Sequence, residues 1–163
     1  AEYFEQSFIE EITVKIRKAC GYDDSQLIIM DDVVNKIGFS LKKFEDDTNI
    51  NGKVLNSAST KEIHINTKSD RNERFTISHE IGHIILHHKD YNGEEIITDY
   101  RTEDNEYNQK EFQANMFASA FLMPKSESIK VWNKVQDIDV FAKLFDVSRK
   151  SARVRLSILG LIK

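Results

Sequence analysis

Residues 76–88 read TISHEIGHIILHH, four histidines and one glutamate set in an otherwise apolar stretch. Read as a helix, it places Ile77, Ile81, Ile84 and Ile85 within about 100° of one another, on the side opposite His79 and His83. The isoleucine side demands a core to pack against. The other side demands something that satisfies imidazoles and a carboxylate, which are costly in an apolar interior when left alone. A bound metal ion meets that demand.

His79-Glu80-Ile81-Gly82-His83 is an HExxH motif. Four residues make just over one helical turn, so the two imidazoles sit about 40° apart around the axis and roughly 6 Å apart along it, close enough to share a tetrahedral ion. Glu80 falls about 60° beyond His83, beside the ion without ligating it, where it can take a proton from water. A third ligand must come from elsewhere. On the next predicted helix, 108–122, Glu111, Ala114, Asn115, Ala118 and Leu122 share one face. Small residues one and two turns beyond Glu111 let two helices approach closely. Glu111 is therefore the expected third ligand of a His2Glu site, and Asn115, one turn on, is expected to orient a ligand through its outer hydrogen bond. His87 lies about 12 Å along the axis from His79, too far to share its ion. It is expected to touch substrate or to be a helix-end residue. His88 and His64 are expected to be structural.

Around this helix the pattern is mixed. Apolar residues at Phe8, Ile9, Ile12 and Ile16 predict a helix over 4–19, and MDDVVNKIG predicts a short second one, ended by Gly38. FSLKKFE, GKVLN and KEIHINT alternate with a period of two and predict strands. Thr76 or Ser78 is the expected cap of the motif helix. Residues 89–109 form a polar, acidic, tyrosine-rich connection, long enough to read as a lid or a mobile segment, with EIITDY as a short strand inside it. Pro124 ends the helix before it. IDVFAKLF, DVS and RKSARVRLSIL then predict helix, turn and helix, with Ser148 as N-cap. The expected fold is α+β: a small, mainly antiparallel sheet packed with the motif helix, plus a C-terminal helical hairpin. Two units are expected, 1–125 carrying the motif and 126–163 as an extension packed on it.

Composition narrows the setting. With 40% hydrophobic and 31% charged residues the chain is expected to be globular. It has no apolar run near the roughly 20 residues that cross a bilayer, no leader-like start and one cysteine, Cys20, which together lead to the expectation of a cytoplasmic protein without membrane contact. Residues 125–163 hold nine Lys/Arg against four Asp/Glu, whereas 1–124 hold 14 against 23. Arg149, Lys150, Arg153 and Arg155 fall on or near the second helix of the hairpin, where a DNA-reading helix would carry them. Direct DNA binding by 138–160 is the competing expectation. The favoured one is a hairpin packed on the body, since four basic residues on an acidic protein make a modest footprint.

IHIN, RFTISHEIGHIILHH and EFQANMFASAFLMP, in this order, resemble the ImmA/IrrE family of zinc metallopeptidases, and FAKLFDVSRKSARVRLSILGLI resembles the helical hairpin that often follows in that family. The resemblance implies a gluzincin-like site in which His79, His83 and Glu111 hold one zinc ion and Glu80 is the base. It also implies cleavage of a helix-turn-helix repressor, or relief of its repression, in a prophage, mobile element or stress operon. The oxyanion stabiliser is left open among Tyr91, Tyr100, Tyr107, His87 and Arg101. A regulator that binds DNA or sequesters its repressor around a structural zinc is the alternative.

Overall fold

The computed structural model describes residues 5–87, the backbone of 94–100, and 109–163. Its elements run α1 (Gln6–Ala19), α2 (Met30–Lys36), β1 (Ser40–Phe44), β2 (Ile50–Ser57), β3 (Lys61–Asn66), α3 (Glu73–His87), β4 (Glu94–Tyr100), α4 (Gln109–Leu122), α5 (Lys125–Val135), α6 (Ile138–Phe145) and α7 (Arg149–Ile158). The fold is α+β. The four strands lie in the order β1-β3-β2-β4, with β2 antiparallel to both β3 and β4 and β1 parallel to β3.

Both β2 and β3 are interior strands, and the bulged register between Ile50 and Gly52 bends β2 where it meets α3. KEIHINT therefore offers no free edge for an extended peptide to join, because β3 is paired on both sides. Its Ile63 and Ile65 point into the core with Val54 of β2, against Ile77 and Ile81 of α3 and Phe117 and Phe121 of α4. Trp132, Phe141, Phe145 and Leu156 from the C-terminal helices join the same apolar cluster. No helix among the described residues is long and apolar enough to cross a membrane.

Several helix ends differ from expectation. Helix α3 begins at Glu73, not at Thr76 or Ser78, because the Asn72 side chain accepts from the Phe75 N–H and caps it. Thr76 then bonds back to the Asn72 carbonyl, and Ser78 is wholly buried against Met30. Arg74 anchors this end through the Ile28 carbonyl at 2.6 Å. Helix α5, which the sequence did not announce, follows Pro124 and buries only Ser128 and Trp132, too thin a stripe for periodicity to reveal. Glycines at 21, 38 and 160 take positive φ where α1, α2 and α7 end.

Two arginines are interior, Arg17 and Arg155, the second of them expected among the basic residues of the hairpin. Helix α1 buries Ile9, Thr13 and Arg17 and leaves Phe8 exposed. Arg17 donates to the carbonyls of Phe121 and Asp23 at 2.8 and 2.7 Å, tying α1 to the end of α4. Arg155 of α7 donates to both Glu10 carboxylate oxygens at 2.5 and 2.6 Å and to the Met123 carbonyl at 2.9 Å. A buried cation stripped of its carboxylate is strongly destabilising. Glu10→Ala is expected to cost about 3–5 kcal/mol, read as a lower urea midpoint, and an unchanged midpoint would show that the fork contributes nothing.

Candidate metal centre

One turn of α3 sets His79 and His83 side by side, with ring centroids 4.8 Å apart and Nε2 atoms 3.1 Å apart. Glu111, in the first turn of α4, reaches across: its Oε2 lies 2.9 Å from His79 Nε2 and its Oε1 3.0 Å from His83 Nε2. These three side chains form a group able to hold a metal ion. Zinc bound at about 2.0–2.1 Å in a tetrahedron spaces its ligand atoms roughly 3.3 Å apart. The observed spacings are slightly smaller, so a small outward movement admits the ion, and two imidazoles with a carboxylate are a suitable donor set.

The approach of α4 depends on a residue that the sequence reading overlooked. A Cβ placed on Gly82 would stand 3.0 Å from the Phe117 Cβ, so the two helices are in close contact at the middle of the motif. Ala114 and Ala118, expected to permit that approach, are fully buried. Gly52 of β2 has the same function on the other side: a Cβ there would meet the His64 carbonyl at 2.9 Å and lie 3.4 Å from Glu80 Oε1.

Asn115 takes the expected position, with its Oδ1 accepting from His79 Nδ1–H at 2.7 Å. His87 is at the helix end, the last described residue of α3, but it is buried. It is 2% exposed, with its Nδ1 3.1 Å from His83 Nδ1 and its Nε2 2.9 Å from Gln113 Oε1. His64 pairs with Glu62 on the sheet. His88, Tyr91, Arg101 and Tyr107 lie outside the described residues, as do the side chain of Tyr100 and most of the expected lid.

Burial governs the electrostatics. It pushes the His79 imidazole down to about 4 against the opposing hydrogen bond from Glu111. Burial would raise Glu111, but the hydrogen bonds with His79 and His83 outweigh it and hold this carboxyl far below the usual range. A neutral imidazole beside an ionised carboxylate is the protonation state that metal binding needs. Glu80 is wholly buried, and neither carboxylate oxygen has a hydrogen-bond partner among the described residues. Burial pushes it up to about 7, partly countered by His83 and Arg71. Arg71, another residue that the motif did not point to, is itself lowered to about 10 by burial, opposed by the charges of Glu80 and Glu111, and donates to Thr76 at 2.9 Å. A partnerless carboxylate at the centre of a protein is expensive, and an ion with its attendant water would satisfy it.

Two outcomes test this arrangement. In metal-free protein Glu80 holds a proton that the unfolded chain has lost, so its contribution is full below about pH 4.5 and disappears as pH rises through about 7. The wild-type chain should therefore lose roughly 3 kcal/mol relative to Glu80→Gln between about pH 5 and pH 8, measured by urea unfolding; parallel pH profiles would contradict the burial of this carboxyl. Gly82→Val should force α3 and α4 apart and lower both the melting temperature and the bound metal, whereas full metal occupancy in that variant would remove the close contact from the account.

The sequence pattern of the IrrE N-terminal-like domain, Peptidase_M78, matches residues 40–157, which includes α3, α4 and most of α7. No curated protein matches significantly. Among solved structures, a Mycobacterium tuberculosis transcriptional regulator is similar with a TM-score of 0.62 and 17% identity, over 95% of this chain and 48% of that one. The chain thus spans about half the length of that protein, and at such identity the likeness is one of fold. A family pattern that covers most of the chain and contains the whole His79-His83-Glu111 group is decisive: the chain belongs to the IrrE N-terminal-like domain family.

Proposed function

We propose that this chain is a zinc-dependent endopeptidase in which His79, His83 and Glu111 hold one zinc ion and Glu80 is the general base. The observation that carries the reading is the His2Glu group, both of its histidines buried, with a second carboxylate, one residue from the first histidine, that has no hydrogen-bond partner among the described residues. Bound zinc supplies a Lewis acid that polarises the scissile carbonyl and acidifies water. Glu80 accepts the proton of the attacking water and passes it to the leaving amine. Burial disfavours the ionised form of this carboxyl and so favours its taking up a proton. Asn115 holds His79 by its outer nitrogen while the reaction proceeds.

The substrate in this reading is a helix-turn-helix repressor in a cytoplasmic setting. Family membership supports it, as does the similar structure being a transcriptional regulator. The division at residue 125, with 126–163 packed on the catalytic part, is proposed with it, supported by the contacts of Arg155 with Glu10 and Met123. The same contacts weaken the DNA-binding alternative. Of the four basic residues on or near α7, Arg155 is buried and Arg149 pairs with Asp139 at 2.6 Å. Lys150 and Arg153 remain as exposed cations for a phosphate backbone.

Metal analysis of protein purified without an affinity metal should find near one zinc per chain, and much less in Glu111→Ala and His83→Ala. Incubated with the repressor encoded beside it, the zinc-loaded chain should release defined fragments. Glu80→Gln should keep its zinc and lose at least about a hundredfold in cleavage rate. Cleavage that survives this change would reject Glu80 as base, and repressor binding without fragments would favour sequestration.

A further inference from the structure

Behind His83 lies a row of side chains that the mechanism above does not use. His83 Nδ1 is 3.1 Å from His87 Nδ1, and His87 Nε2 is 2.9 Å from Gln113 Oε1. His83, His87 and Gln113 are each 2% exposed or less. The ends of the row are chemically different: at one end His83 Nε2 faces Glu111 and His79, at the other an amide of α4 waits.

A neutral imidazole carries one proton, so a row of two imidazoles has only two consistent directions. In one, Gln113 Oε1 accepts from His87 Nε2–H, His87 Nδ1 accepts from His83 Nδ1–H, and His83 Nε2 is left with its lone pair toward the ligand cluster. In the other, the Gln113 amide is turned so that its NH2 donates to His87 Nε2, His87 Nδ1–H donates to His83, and the His83 proton sits on Nε2, where it blocks coordination. The amide is the switch. With its oxygen toward His87, Gln113 selects the first direction.

We propose that Gln113 and His87 are positioning residues that select the metal-binding tautomer of His83 and thereby set the affinity of the site for zinc. The inference rests on the zinc reading above. It goes beyond that reading by placing part of the metal affinity on two residues that touch no ion. Asn115 provides the single-step version of the same device for His79. Helix α4 thus supplies one ligand, Glu111, and an acceptor that orients each of the other two.

The test is zinc affinity, measured by competition with a chromogenic chelator, in the wild-type chain, Gln113→Leu and Gln113→Glu. The leucine removes the acceptor and should weaken zinc binding about ten- to a hundredfold. The glutamate keeps an acceptor oxygen at the same reach and should bind near the wild-type value. Equal affinity in the leucine variant, or equal loss in both, would overturn the proposal, because filling space would then be all that Gln113 does. Nitrogen-15 spectra of the zinc-loaded wild-type chain give a measurement independent of any variant's folding: His83 should carry its proton on Nδ1, and an unprotonated Nδ1 would overturn the proposal. Absence of zinc binding by the wild-type chain would instead reject the zinc reading, and the proposal with it.

Discussion

The contact of bare backbone at Gly82 with the Phe117 ring is the constraint on which the rest of the structure depends. It brings α4 close enough for a carboxylate with two methylenes to reach two imidazoles on α3. It also closes the polar side of α3, so that His79, Glu80, His83 and His87 are as deeply buried as the isoleucines opposite them. A helix with two buried faces needs partners for both, and the polar partners must come from the second helix. Glu111, Gln113 and Asn115 are those partners.

The same burial sets the charge state of the centre. His79 is kept neutral and Glu111 ionised, while Glu80, which lacks a partner, has its proton held more tightly. Burial drives His79 and Glu80 alike toward their neutral forms, and Glu111 stays ionised because its hydrogen bonds with His79 and His83 outweigh the same burial. Gly52 contributes from the sheet by letting β2 come up beside Glu80 without a side chain between them. The site is thus made by close approach from two sides, each dependent on a missing Cβ.

What could be read from the sequence was local. The i,i+4 pair of His79 and His83, the apolar stripe opposite them and the small residues beyond Glu111 are all periodic features, and periodicity along one helix is visible in one sequence. What could not be read involved a partner distant in the chain. Gln113 sits about 200° around α4 from Glu111, so helical spacing placed it away from the site, and only the reach of its side chain to His87 brings it back. Asn72 holds the capping position expected of Thr76 or Ser78: all three are cap-type residues, and the difference lies in where the chain enters the helix. The interior position of β3 depends on β1 pairing parallel to it, and strand order is not written in alternation. Arg155 looked like a member of a basic surface because nothing near it in sequence shows that Glu10 and the Met123 carbonyl surround it.

That last arginine has a consequence for how the molecule comes into being. Glu10 and Arg155 are 145 positions apart, so the fork between them cannot form until that whole stretch of chain has been made. Before then the Glu10 carboxylate of α1 has no guanidinium to meet, and the Met123 carbonyl after α4 has only the Ser128 hydroxyl as its side-chain donor among the described residues. Contacts of such long range slow folding, since the loop they close must be ordered before they return anything. The fork can therefore join α1 to α7 only once residue 155 has been synthesised, and until then the nascent chain holds the motif without this brace around it.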